Sequence, residues 1–113
     1  MSDTLDRAET AKAFKAAVNM APAELESWLG SEHSKEVGWP VDHGDTESVG
    51  HRSGRRIVEI KRKKQAELTD DDFAHLRKVI GYVARHTKQR PDGDVSDTRW
   101  RWSLMNWGHD PLK

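Results

Sequence analysis

Apolar residues recur at helical spacing in five stretches of the chain. In the first, Ala8, Ala11, Phe14, Ala17 and Val18 stand three and four apart between Asp3 and Asn19, forming one modest stripe. Pro22 suits the first turn of a short second helix, with Leu25, Trp28 and Leu29 on one face and Gly30 placed to end it. From Ser31 to His51 the periodicity stops. Gly38, Pro40, Gly44 and Gly50 lie here among polar residues, so the pattern predicts a long mobile loop over residues 31–52, between the second and third helices.

A third helix is expected to open at Ser53-Gly54, with Ser53 as its N-cap, and to run to Gln65 or Ala66. Ile57 and Ile60 would face inward, while Arg55, Arg56, Arg62 and Lys63 lie on the opposite arc with Glu59 among them. Thr69-Asp70-Asp71-Asp72 is the clearest start signal, a hydroxyl cap followed by three acids at the positive end of a helix dipole. The helix behind it should reach Thr87. Phe73, Leu76, Val79, Ile80, Val83 and Ala84 give it the broadest apolar face, which predicts a central position. The last helix, Ser96 to Trp107, places Trp100, Leu104 and Trp107 in register, with Gly108 to terminate it and Pro111 beyond. Three large rings on so short a helix read mainly as core, with Trp102 off the stripe and partly exposed. The expected fold is a compact all-α domain of about five helices occupying residues 1–113.

Composition narrows this picture. At 35% hydrophobic and 34% charged residues, the core is thin for 113 residues. The absence of cysteine excludes disulfides, thiolate metal sites and a cysteine nucleophile, and fits a reducing compartment. No apolar run has the length of a membrane span, and the first residues have no signal-peptide character, so a cytoplasmic location is expected.

The net charge of zero conceals a strong polarity. Residues 1–47 carry four Lys and Arg against ten Asp and Glu; residues 48–90 carry twelve against five. Within Arg52–Lys64, seven basic residues meet one acid, Glu59. A basic segment in a neutral chain points first to a polyanion. A helix opening at Ser53 would offer free N–H groups to a phosphate, with Gly54 allowing close approach and Arg52, Arg55 and Arg56 adding charge. Arg62 and Lys63 from the same helix, with Lys78 and Arg85 from the next, complete the candidate nucleic-acid contacts. His75, Tyr82 and His86 accompany them on the long helix as rings that could stack. A metal site is not expected, because His75 and His86 are about 16 Å apart along a helix and the other histidines fall in loops without ligand spacing. No catalytic motif is present either, and neither enzyme activity nor a cofactor is expected.

The chain also resembles a known family. The resemblance runs through Gly54–Ile60, Leu68–Asp72, Gly81-Tyr82-Val83, Gln89-Arg90-Pro91, Asp97–Arg101 and Ser103–Pro111, with Val18-Asn19-Met20, Glu24-Leu25 and Trp28-Leu29 upstream. It is similar to a family of small single-domain proteins of unknown function, some of whose members carry the label DNA-binding protein. The resemblance brings no activity, cofactor or catalytic residue with it. Two readings stay open at this point. One is a non-enzymatic nucleic-acid-binding protein using phosphate contacts, with DNA favoured over RNA and no membrane involved. The other is an interaction or self-association module, a homodimer for example, in which acidic helices cover the basic face through Glu24, Glu26, Glu32 and Glu36.

Overall fold

A computed structural model describes residues 3–37 and 48–113. Six α-helices form among these residues: α1 (Asp3–Ala17), α2 (Pro22–Leu29), α3 (Glu32–Glu36), α4 (Val49–Lys61), α5 (Asp70–Thr87) and α6 (Arg99–Asn106). A single 3-10 turn, Gln65–Glu67, joins α4 to α5, and no strand element occurs among the described residues. The chain is an all-α single domain, as its periodicity predicts.

The segment expected as one long loop is partly helical. Ser31 caps α3, its Oγ accepting from the Ser34 N–H at 3.3 Å. Ser34 is fully buried, so a five-residue helix of polar composition is held by its tertiary contacts rather than by an apolar stripe. At the other end of that segment, α4 begins at Val49, five residues earlier than a helix capped by Ser53 would. Its N-cap is Ser48, whose Oγ accepts from the His51 N–H at 3.1 Å. Ser48 and Ser53 offer the same capping chemistry; packing chooses between them. Gly50 and Gly54, one turn apart, both face neighbouring helices at close range, and only a helix that includes Gly50 presents the two together. The rest of the expected loop, residues 38–47, lies outside the described residues.

The far end of α4 is also shorter than expected. Arg62 is its C-cap, so Lys63 and Lys64 lie beyond the helix. Thr69 caps α5 as the sequence implies: its Oγ1 accepts from the Asp72 N–H at 3.1 Å, and Asp72 Oδ2 accepts from the Thr69 N–H at 3.0 Å. α6 starts at Arg99 behind a Thr98 cap rather than at Ser96, and Gly108, at φ +80°, ends it.

α1 packs along α5 and α2 along α4, while α6 meets α2, α3, α4 and α5. The linking position expected for α5 therefore belongs to α6. The broad face of α5 is buried through Phe73, Leu76, Val79 and Val83, but on one side of the molecule, against α1 and the shared core. α6 is short and carries bulky residues, which lets it wedge between the two helix pairs with Leu104 and Asn106 at its buried tip. Asn106 is a polar key. It accepts from Trp28 Nε1 at 2.8 Å and from Ser34 Oγ, and donates to the Ser34 carbonyl at 3.0 Å, tying α2 and α3 to α6.

The chain end is pinned in the same way. Asn19 Nδ2 donates to the Asp110 carbonyl at 3.0 Å, and its Oδ1 accepts from the Asp110 N–H at 2.7 Å. Arg101 grips the Asp110 carboxylate with two bonds of 3.2 and 3.1 Å. Burial raises the Asp110 pKa, but this fork, the Leu112 N–H and the Lys113 charge together outweigh it and leave the carboxyl below its usual range. His109, a loop histidine by sequence, pairs its Nδ1 with the Ala17 carbonyl at 2.7 Å.

Candidate functional site

Residues 52, 55, 56 and 59 follow helical spacing along one face of α4, and residues 72, 75 and 78 do so along α5. Between these two faces runs an open groove of about 640 Å³. Arg52, Arg55, Arg56 and Lys78 bring four cations to its walls, and Glu59 and Asp72 bring two acids. Asp72 is already engaged: it holds Lys63 at 3.2 Å, lies 3.5 Å from Arg56, and completes the α5 cap. The Thr69 N–H, followed by Lys63, holds its carboxyl below the usual range.

The floor of the groove is a cross-link between its walls. Ser53 Oγ and His75 Nε2 lie 2.9 Å apart, with Ser53 only 5% exposed. Burial lowers the His75 pKa to about 4, assisted by Arg56 and Lys78, so the ring is neutral at pH 7. A serine and a histidine at hydrogen-bond distance invite comparison with an activated nucleophile. Here the nearby carboxylate, Asp72, is committed to Thr69, Lys63 and Arg56, and Ser53 is interior to a helix. The pair works as a strut that joins α4 to α5.

The nine residues singled out by sequence divide into groups. Arg52, Ser53, Arg55, Arg56 and Lys78 converge on the groove. Arg85 reaches a smaller neighbouring pocket, which shares Val49 and Lys78 with the groove. Arg62 and Lys63 do not line the groove. Arg62 pairs with Glu26 at 2.7 Å, and Lys63 turns to Asp72 because the helix has ended before it. Gly54 is corrected in role: a Cβ there would lie 2.5 Å from the Asn106 carbonyl oxygen and 2.7 Å from Leu29, so this glycine serves a helix crossing rather than an approaching phosphate. Ser53, four residues inside α4, has no free helix-start N–H to offer. The acidic residues expected to cover the basic face reach it at one point, Glu26 on Arg62; Glu24 pairs with Lys113 at 2.6 Å instead.

Sequence reasoning placed His75, Tyr82 and His86 on one helical face but missed what they meet. They interleave with α6 in a ladder of near-parallel rings. Its successive spacings are 6.3 Å for His75–Trp107, 4.2 Å for Trp107–Tyr82, 5.0 Å for Tyr82–His86 and 6.4 Å for His86–Trp100. The i, i+7, i+11 spacing of the α5 rings, set beside Trp100 and Trp107 seven apart, was the available signal. Trp102 is partly exposed as its position suggests, and stacks on His33 at 4.0 Å. Among the described residues, no group of three or more His, Asp and Glu is placed to hold a metal ion, and no helix is long and apolar enough to cross a membrane.

The architecture is thus a small helical domain with a groove lined by both basic and acidic side chains between α4 and α5. The chain belongs to a family of proteins of unknown function (DUF3140), whose family model matches residues 13–105. That span contains every groove residue. No curated protein and no solved structure matches the chain.

Proposed function

We propose that the protein is a non-enzymatic nucleic-acid-binding protein that holds phosphates in the α4–α5 groove. The observation carrying this reading is the convergence of Arg52, Arg55, Arg56 and Lys78 on one groove from two helices. Like charges repel when brought together, and a polyanion relieves that repulsion while releasing its own counterions. Arginine supplies three of the four cations and suits bidentate phosphate contact. His75 at the floor adds a ring that gains a proton more readily when a phosphate replaces water beside it. Arg85 extends the basic surface at one end, whereas Arg62 and Lys63 make ion pairs away from it. DNA is the favoured partner. The interaction-module reading rests on acidic coverage of the basic face, which is confined to the Glu26–Arg62 pair among the residues named for it.

An anisotropy titration against salt tests the proposal. Each phosphate neutralised should cost about 0.9 in log K per decade of salt. Replacing Arg52, Arg55 and Lys78 together by Ala leaves Arg56 on Asp72, and should weaken binding and flatten the slope by roughly 2 to 3. Absence of binding to both duplex and single strands at about 50 mM salt and tens of micromolar protein, within the usual non-specific range, would overturn it in favour of the interaction module.

A further inference from the structure

Beside the groove lies a second depression, about 300 Å³ in volume, between α4, α5 and α6. Its walls include Val49, Gly50, Tyr82 and Trp107, with Lys78 and Arg85 at the cationic side. Val49 and Lys78 also line the groove, so the two spaces adjoin. One is polar and cationic, the other walled largely by apolar and aromatic groups. A ligand spanning both needs an anionic part joined to a flat, mostly apolar part.

Trp107 adds a more specific requirement. The residue is 4% exposed and lines the depression. The nitrogen faces Gly50: a Cβ built on that glycine would lie 3.1 Å from it. The missing side chain at position 50 is what leaves the donor open to the depression. An indole N–H can only donate, and this one stands at the wall of the depression, so the complementary ligand presents a hydrogen-bond acceptor there. Asn106, also in the wall, is occupied by its bonds to Trp28 and Ser34. The ring faces are engaged too, since Trp107 stacks on Tyr82 at 4.2 Å. The occupant therefore meets ring edges and one donor rather than an open stacking platform.

We infer that this depression receives one unpaired nucleobase of a DNA strand whose phosphates lie in the adjoining groove, with a base carbonyl or ring nitrogen accepting from Trp107 Nε1. The inference rests on the phosphate reading of the groove and adds to it a preference for single strands. In a duplex, the base would have to leave its stack and its partner to enter. A volume of about 300 Å³ is at the small end of ligand sites, suited to one base.

The test uses the full chain with four probes of DNA chemistry: an oligothymidine strand, an abasic strand of equal length, a duplex, and thymidine monophosphate. Base occupancy predicts that the oligothymidine binds roughly tenfold more tightly than the abasic strand. Gly50→Ala, which favours the helix but places a methyl against the indole nitrogen, should bring oligothymidine down to the abasic level while the abasic strand itself binds as before, a control that separates loss of the site from loss of the fold. Trp107→Phe keeps a ring and removes the donor, and should weaken oligothymidine about three- to tenfold while leaving the abasic strand unchanged. Equal affinity for abasic and thymidine strands, or no effect of Gly50→Ala, would overturn the base site while the groove reading stands. Duplex binding as tight as single-strand binding would also overturn it. Thymidine monophosphate binding as tightly as the strand would reassign the site to free nucleotides. Failure of every probe would remove the groove reading as well.

Discussion

α4 separates two regions built on opposite principles. Toward α2 and α6 its surface is stripped to glycine, serine and aliphatic side chains, and the neighbours come in until backbone meets backbone at Gly54. Toward α5 it carries arginines, and the helices stand apart with a groove between them. On the closed side every buried polar atom of Asn106 has its partner; on the open side the cations outnumber the acids. One helix thus supplies both a joint and a binding surface. Close packing and a row of charged side chains exclude one another, because desolvating charge is unfavourable while glycine allows approach without that penalty.

Gly54→Ala attacks the joint where it is tightest. The obstructing atom is a backbone carbonyl, which cannot rotate away, and we expect a loss of about 3 kcal/mol or more in denaturant unfolding. An unchanged midpoint would mean that α4 and α6 separate easily and that the contrast between the two sides is false. Asn106→Leu keeps the bulk but leaves the Trp28 N–H and the Ser34 groups unsatisfied, and should cost about 2 to 3 kcal/mol by the same measurement.

The strut across the groove should be felt through pH. His75 titrates near 4 when folded and near 6.5 when unfolded. Below 6.5 the unfolded chain takes up a proton that the folded chain refuses, so the His75 contribution to stability is complete above pH 6.5 and lost as pH falls toward 4. Burial lowers His86 in the same direction. Melting temperature should therefore drop between pH 7 and 5, and His75→Gln should flatten that drop. A steeper drop in the variant would place the cause elsewhere.

The open side should tolerate change that the closed side does not. Arg52→Ala should alter stability by no more than about 0.5 kcal/mol, as expected for an exposed residue, while weakening polyanion binding. Arg62→Ala should have the smallest effect of all. Its partner Glu26 is as exposed as Arg62 itself, the pair is worth well under about 1 kcal/mol, and the salt slope of binding should not move, because Arg62 does not line the groove.

Periodicity and capping chemistry were enough to determine that the chain is helical and where α1, α2, α5 and α6 run, since those signals are local: an apolar stripe, Pro22, the Thr69–Asp72 box, Gly108. The charge count likewise located the basic segment. Tertiary structure decided what local signals left degenerate. Ser48 and Ser53 are equivalent caps until Gly50 and Gly54 must meet α6. The polar α3 has no stripe to announce it and exists because Ser34 bonds Asn106 from 72 residues away. The division of the basic residues into groove and ion pairs followed from where α4 ends and which helix faces it. Those outcomes depend on contacts between distant parts of the chain, and no window of neighbouring residues contains them.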